Sequence, residues 1–229
     1  MPWHSRLPIV EHEFDEGDLH LIGTTIGDTR FNGCRLSASH EKRSTFVDCR
    51  FQNIRLHRCA IGAAVFERCQ FENVWVSGNP ALLGTLFLEC QCRGQIKGVN
   101  FGFDDLDGSH AVSMIKDNLK RARKASYCLD LSNAKCEALS FQHDLLVERV
   151  RFRERQCLIL SADDLPKRAK KLYHSTTDPN LHLILICCFQ GIPIKRVLTL
   201  VEREAEPQLD EYITAIVQAG IKVQTTPLC

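Results

Sequence analysis

Twelve cysteines and nine histidines are the side chains best equipped for chemistry in this chain. Thiols and imidazoles together can hold zinc, close disulfides, or supply a nucleophile and its base. Their spacing points to none of these. Cys90-Gln91-Cys92 and Cys187-Cys188 lack the two-residue gap of a C-x-x-C metal site, and no H-E-x-x-H pair occurs. A phosphate loop, a dinucleotide fingerprint and a G-x-S-x-G elbow are also missing. No local signature selects one Cys–His pair as catalytic. The expectation is a non-enzymatic protein with no metal and no cofactor.

So many cysteines in a secreted chain would suggest a disulfide framework. Met1-Pro2-Trp3-His4-Ser5-Arg6, however, lacks the charged-then-apolar run of a secretory signal. No apolar stretch reaches the ~20 residues that span a bilayer. The expected setting is cytoplasmic and reducing, with most cysteines as free thiols. A net charge of +1 gives no global reason to expect nucleic acid or a membrane as partner.

The cysteines acquire a role once the elements that place them are considered. Every fifth residue from Leu21 to Leu106 forms a series of eighteen positions, of which sixteen are apolar. The 44% apolar average would give about eight. Six of the twelve phenylalanines lie in that series: Phe31, Phe46, Phe51, Phe66, Phe71 and Phe101. Two residues earlier runs a second series of compact side chains, including Thr24, Thr29, Cys34, Ser44, Cys49, Cys59, Ala64 and Cys69. Neither a helical nor a strand period produces this pattern; a narrow solenoid with alternating large and small inward positions does. Buried free cysteine behaves there as a small hydrophobe.

Ser44-Thr45-Phe46-Val47-Asp48, Cys49-Arg50-Phe51-Gln52-Asn53, Ala64-Val65-Phe66-Glu67-Arg68 and Cys69-Gln70-Phe71-Glu72-Asn73 resemble the motif of the pentapeptide-repeat family. That motif has a central Leu or Phe and a small residue two positions before it. The resemblance covers residues 19–107 and implies a right-handed quadrilateral β-helix, four pentapeptides to a coil. Reading every twentieth residue then gives the inner columns. One is Phe31, Phe51 and Phe71; a second is Ile26, Phe46, Phe66, Leu86 and Leu106. A third is Leu36, Leu56, Val76 and Ile96, and a fourth, the weakest, is Glu41, Ile61, Ala81 and Phe101. Stacked about 4.8 Å apart, the coils would make a rod roughly 20 Å long. Ser37–Arg43 reads as a polar corner loop that keeps register. Asn79-Pro80 and Gln91–Gly94 mark an irregular zone, where Phe87 and Cys92 fit a frame slipped by one residue.

After Asp107-Gly108 the pattern changes. Residues 111–125 read as a helix exposing Lys116, Lys120, Arg121, Arg123 and Lys124, expected to cover the open edge of the solenoid. The five-residue frame returns at Leu131, Cys136, Phe141 and Leu146, giving one further coil over about 129–146. Residues 1–150 are therefore expected to form the β-helix with a helical insertion at about 109–126. Residues 151–229 are expected to form a small α/β module. In that module Cys157–Leu160 is an apolar run, Asp163–Tyr173 a helix and Leu181–Cys188 a buried strand. Helices around Ile194–Arg203 and Pro207–Ala219 follow, the second ended by Gly220, and Ile221–Gln224 is a last strand. The loop Cys188-Phe189-Gln190-Gly191 is read first as a packing loop and second as a candidate ligand site.

The family includes acidic rods that mimic DNA and bind type II topoisomerases such as gyrase, so resistance or immunity of that kind is one implied function. Residues 1–110 carry 14 acidic and 11 basic side chains, a net of only −3, less acidic than a DNA mimic requires. Outward positions instead stack Arg35, Arg55 and Trp75, flanked by His57, Arg58 and Lys97. Arg with Trp is a common pairing in protein-binding hot spots. The leading expectation is a scaffold that binds a protein partner of unknown identity, with a type II topoisomerase as one candidate. The α/β module would cap the solenoid, form a homodimer or recruit a second partner. A ligand-binding or catalytic role for that module is the third reading.

Overall fold

The computed structural model describes residues 9–10, 13–14, 20–32, 34–36, 43–62, 64–77, 81–83, 85–97, 100–102, 109–137, 139–141, 149–152, 157–189, 196–201 and 207–225. The five-residue units wind into a β-solenoid of about four turns. Each unit is a short extended stretch closed by a bend. The bends fall two residues after the inward residue, at Gly23, Asp28, Asp48, Asn53, Arg58, Arg68, Asn73, Glu89 and Gly94, all with φ between 49° and 67°. Gly, Asn and Asp tolerate that left-handed region, which explains their recurrence at this place in the unit.

Three sheets line the solenoid. The first contains Ile9–Val10, Arg30–Asn32, Arg50–His57, Gln70–Ser77, Cys90–Lys97, Leu129–Glu137 and Val150–Arg151, with Thr25–Gly27 also paired to Arg50–His57. The second runs His20–Ile22, Thr45–Val47, Val65–Glu67 and Leu86–Leu88. The third runs Glu13–Phe14, Arg35–Leu36, Ala60–Gly62, Ala81–Leu83, Asn100–Gly102 and Leu139–Phe141. All of these pairings are parallel. The solenoid thus begins at Ile9, ahead of the expected residue 19, and strands 129–137 and 139–141 add a coil after the helix.

The register corrects the expected columns. Between the first two coils equivalent residues are 25 apart, since Leu21 pairs with Phe46, Ile26 with Phe51, Phe31 with Leu56 and Leu36 with Ile61. Residues 37–42, expected as a loop that keeps its place in the columns, lie outside the described residues. The 25-residue spacing of the strands on either side is one five-residue unit more than the expected 20. From Phe46, Phe51 and Leu56 to the next coil the spacing is 20; from Ile61 onward it is 21, with Ile61 opposite Leu82, Phe66 opposite Phe87 and Phe71 opposite Cys92. That is the slipped frame. A bulge at Gly94 then sets Ile96 opposite Val74, not Val76. Asn79, Pro80 and Leu106 lie outside the described residues.

Like stacks on like more fully in this register. Phe46, Phe66 and Phe87 form one ring column with centroids 4.7 and 5.2 Å apart and planes within 11°. Phe51 and Phe71 form a second at 5.0 Å, and the two columns meet edge-on at 5.4 to 5.9 Å. Such pairs add roughly 0.5–1.5 kcal/mol each beyond burial.

The compact series has its own chemistry. Thr24, Thr29, Cys34, Cys49, Cys59, Cys69 and Cys90 each aim Oγ or Sγ at the carbonyl two residues back, at 2.8 to 3.7 Å. Cys49, Cys59, Cys69 and Cys90 also reach a carbonyl of the preceding coil at 3.3 to 3.5 Å. The position therefore favours a side chain that is both small and a weak donor, a requirement that packing alone does not convey. The ten cysteines whose side chains are described form no disulfide.

Helix α1, Ser109–Ala122, packs against Leu86–Leu88. Its stripe Met114, Asn118 and Ala122 is buried, as are the outward Val65, Leu86 and Leu88. Arg43 pairs with Asp117 at 3.5 Å and Arg121 with Glu67 at 3.9 Å. These partners sit on successive coils, so α1 lies along a side of the solenoid and does not cover its end, as the sequence suggested. Apolar outward residues on two neighbouring strands offered it more area than the edge did.

The end is closed by the C-terminal segment. Arg196–Leu200 pairs antiparallel with Leu139–Phe141, Cys157–Ser161 adds to it, and Lys222–Gln224 completes the third sheet. Ile159 and Leu198 join the solenoid core. Leu158, Leu160 and Val197, on the other face, pack with helices α2 (Leu165–Ser175), α3 (Pro179–Ile186) and α4 (Leu209–Gln218). Two elements are the reverse of the sequence expectation. Leu181–Cys188 is largely helix α3, because Asp178 caps it by accepting from the Asn180 and Leu181 N–H groups (2.8 and 3.0 Å) and Pro179 suits its first turn. Arg196–Leu200 is a strand rather than a helix, held between two partners in the sheet.

Candidate functional site

Two outward sides of the solenoid share the same strands. The eight-residue strands Arg50–His57, Gln70–Ser77 and Cys90–Lys97 bend at Asn53, Asn73 and Gly94. Side chains stitch this bend from coil to coil. Asn53 Nδ2 donates to Asp28 Oδ1 at 2.8 Å, Asn73 Nδ2 to Asn53 Oδ1 at 3.1 Å, and the Gln95 N–H to Asn73 Oδ1 at 3.3 Å. A carboxylate has no proton to donate, so the direction of this ladder is set at its first member. Gly94 lacks a Cβ where one would overlap Asn73 Oδ1.

On the side before the bend Arg50 and Glu72 satisfy one another. Glu72 accepts from Arg50 at 3.3 Å and Gln52 at 2.9 Å, and the Gln52 bond, then Arg50, holds its carboxyl below the usual range. At a neighbouring bend Arg68 grips Asp48 with Nε and Nη2 at 2.8 and 2.9 Å and also meets Glu67. That bidentate bond lowers the Asp48 pKa and raises that of Arg68.

The side after the bend differs. Arg55 sits opposite Arg30 on one neighbour and Trp75 on the other, and Trp75 sits opposite Lys97. The Arg55 guanidinium carbon lies 5.2 Å over the Trp75 ring. Trp75 Nε1 donates to Gln95 Oε1 at 3.1 Å, which fixes the indole edge. His57 stands two residues along from Arg55 on the same strand, opposite Asn32 and Ser77, and Arg58 is exposed at the following bend. Arg35 is the exception among the expected residues. It lies in register with Glu13 and Ala60 on the third sheet, and the 25-residue first step puts Arg30 in its place beside Arg55. Sequence reading missed Arg30 because a five-residue insertion leaves a five-residue period unchanged.

Elsewhere the chemistry is subdued. Among the described residues no group of three or more His, Cys, Asp or Glu side chains is placed to hold a metal ion. Burial raises the pKa of Cys90, Cys92 and Cys188 and takes Cys128 to about 11. In the loop expected to line a ligand site, Cys188 is buried and Phe189 packs edge-on to Tyr173 at 5.2 Å, while Gln190 and Gly191 lie outside the described residues. A groove of about 540 Å³ between α2 and the end of α4 is lined by Lys167, Lys171 and Arg168 over Leu172 and Ala215, with Arg168 reaching the Ala219 carbonyl at 3.5 Å. No helix among the described residues is long and apolar enough to cross a membrane.

No protein-family model matches the chain, and no curated protein matches it.

Proposed function

We propose that the chain is a non-enzymatic interaction scaffold, a pentapeptide-repeat β-helix of right-handed quadrilateral form that binds a protein partner through its Arg30–Arg55–Trp75 side. The observation that carries this is the Arg55–Trp75 stack, with the indole N–H held by Gln95. Partly buried Arg and Trp on strands locked to both neighbours are pre-ordered, so docking loses little side-chain freedom. The closing sheet and helices stabilise the last turn.

A DNA-mimic role toward a type II topoisomerase is the weaker reading. Asp48, Glu67 and Glu72 are neutralised by arginines, and the Arg55 side is basic. The discriminating experiment is capture of proteins from cell extract by the full chain, by Trp75→Ala and by Arg55→Ala. The expected result is a protein retained by the wild type and lost by both variants. Equal retention by all three overturns the reading.

A further inference from the structure

Resting on that reading, we infer that the partner presents a carboxylate, an Asp or Glu side chain, to the paired guanidinium groups of Arg30 and Arg55, with an apolar neighbour covering the exposed edge of Trp75. Two observations lead to it, and a third shows what holds Arg55 in place. Arg30 and Arg55 are directly opposite on adjacent parallel strands, at a strand separation of about 4.8 Å. Like charges placed so are destabilising unless something of opposite sign bridges them. Among the described residues neither has an acidic partner, whereas Arg50 and Arg68 on the same solenoid both do. The Arg55 Nε is buried and makes no hydrogen bond. A buried charged donor without an acceptor is unfavourable, and Arg55 keeps its position because it is stacked on Trp75.

A carboxylate arriving from a partner would bridge the two guanidinium forks, which is the geometry in which arginine recognises a carboxylate. Nucleic-acid phosphate fits less well. The Trp75 ring face that a base would stack on is occupied by Arg55. Asp28 stands at the bend that borders this side, with its carboxylate already accepting from Asn53, and would repel a continuous polyanion.

The test is selection of a random displayed-peptide library on the immobilised full chain. Selected peptides are then titrated against wild type, Arg30→Gln/Arg55→Gln, Trp75→Ala and Arg55→Met, the last keeping an apolar cover over the ring. The expected result is enrichment of peptides with Asp or Glu beside an apolar residue. Their affinity should fall at least tenfold in the double Gln variant and in Arg55→Met. Glu→Gln in the peptide should cause a matching loss. Enriched peptides without acidic residues that still depend on Trp75 would overturn the carboxylate inference and leave the interaction reading standing. Peptides indifferent to all variants, or no enrichment, would overturn both. Tighter binding of a single-stranded oligonucleotide than of any acidic peptide would overturn it in favour of phosphate.

Discussion

The two outward sides that meet at Asn53, Asn73 and Gly94 are built from the same strands, yet they treat charge in opposite ways. Before the bend, Glu72 takes Arg50 and Gln52, so an acid and a base meet directly. After it, Arg30 faces Arg55, and Arg55 rests on an aromatic ring without an acid in reach among the described residues. Backbone, strand length and core are common to both, so the contrast lies in side-chain choice alone. A surface needed only for solubility would be expected to look like the first side. The second keeps an unbalanced pair where a partner can balance it.

Four experiments sharpen or break that comparison. The largest effect should come from Phe66→Ala, at the centre of one ring column and edge-on to the other, which is expected to cost about 3–5 kcal/mol in denaturant unfolding and to disturb the two sides alike. Gly94→Ala should cost roughly 2–3 kcal/mol, since it adds a Cβ at positive φ and breaks the Asn73 contact at the shared bend. If Gly94→Ala were neutral, the bend would not be what separates the sides. Arg55→Met should leave the free protein unchanged or up to about 1 kcal/mol more stable, because it removes an unsatisfied buried donor while keeping the ring covered. A clear loss of stability there would show that Arg55 is already satisfied.

The smallest effect is in pH. Asp48, Glu72 and Glu89 all have carboxyl pKa values lowered in the folded state, chiefly by bonds from Arg68, Gln52 and Ser126 respectively. Their contribution is complete above the unfolded carboxylate pKa of about 4 and is lost as pH falls through the lower folded values. Melting temperature should therefore drop as pH falls through the lowered carboxyl values. Glu72→Gln should flatten part of that drop, and Arg55→Met should leave it untouched, because no carboxylate is paired there.

Much of this organisation was visible in residue types. Phe46, Phe51, Phe66 and Phe71 announce the solenoid because one inward side chain per five-residue unit cannot be hidden by any helix or strand period. The slip to Phe87 and Cys92 was visible as well, since a one-residue insertion moves apolar residues into another frame. The partner of Arg55 was not legible, because it depended on a register shift of five. The donor role of Cys49, Cys69 and Cys90 also depended on seeing which carbonyls lay nearby. In the closing segment the apolar run Leu181–Cys188 carries no period, and its helical state rested on Asp178-Pro179 just ahead of it. Arg196–Leu200 became a strand because Leu139–Phe141 offered it an edge.

The extra unit between Leu36 and Phe46 has a further meaning for how such a surface can change. Adding or removing five residues leaves every inward side chain inward and every bend at a bend, so the core tolerates it. What changes is the outer neighbour: everything upstream is dealt one place further round. Here that brought Arg30 rather than Arg35 beside Arg55. A whole-unit insertion or deletion is thus a single event that recombines the columns of an interaction surface without altering one of its residues.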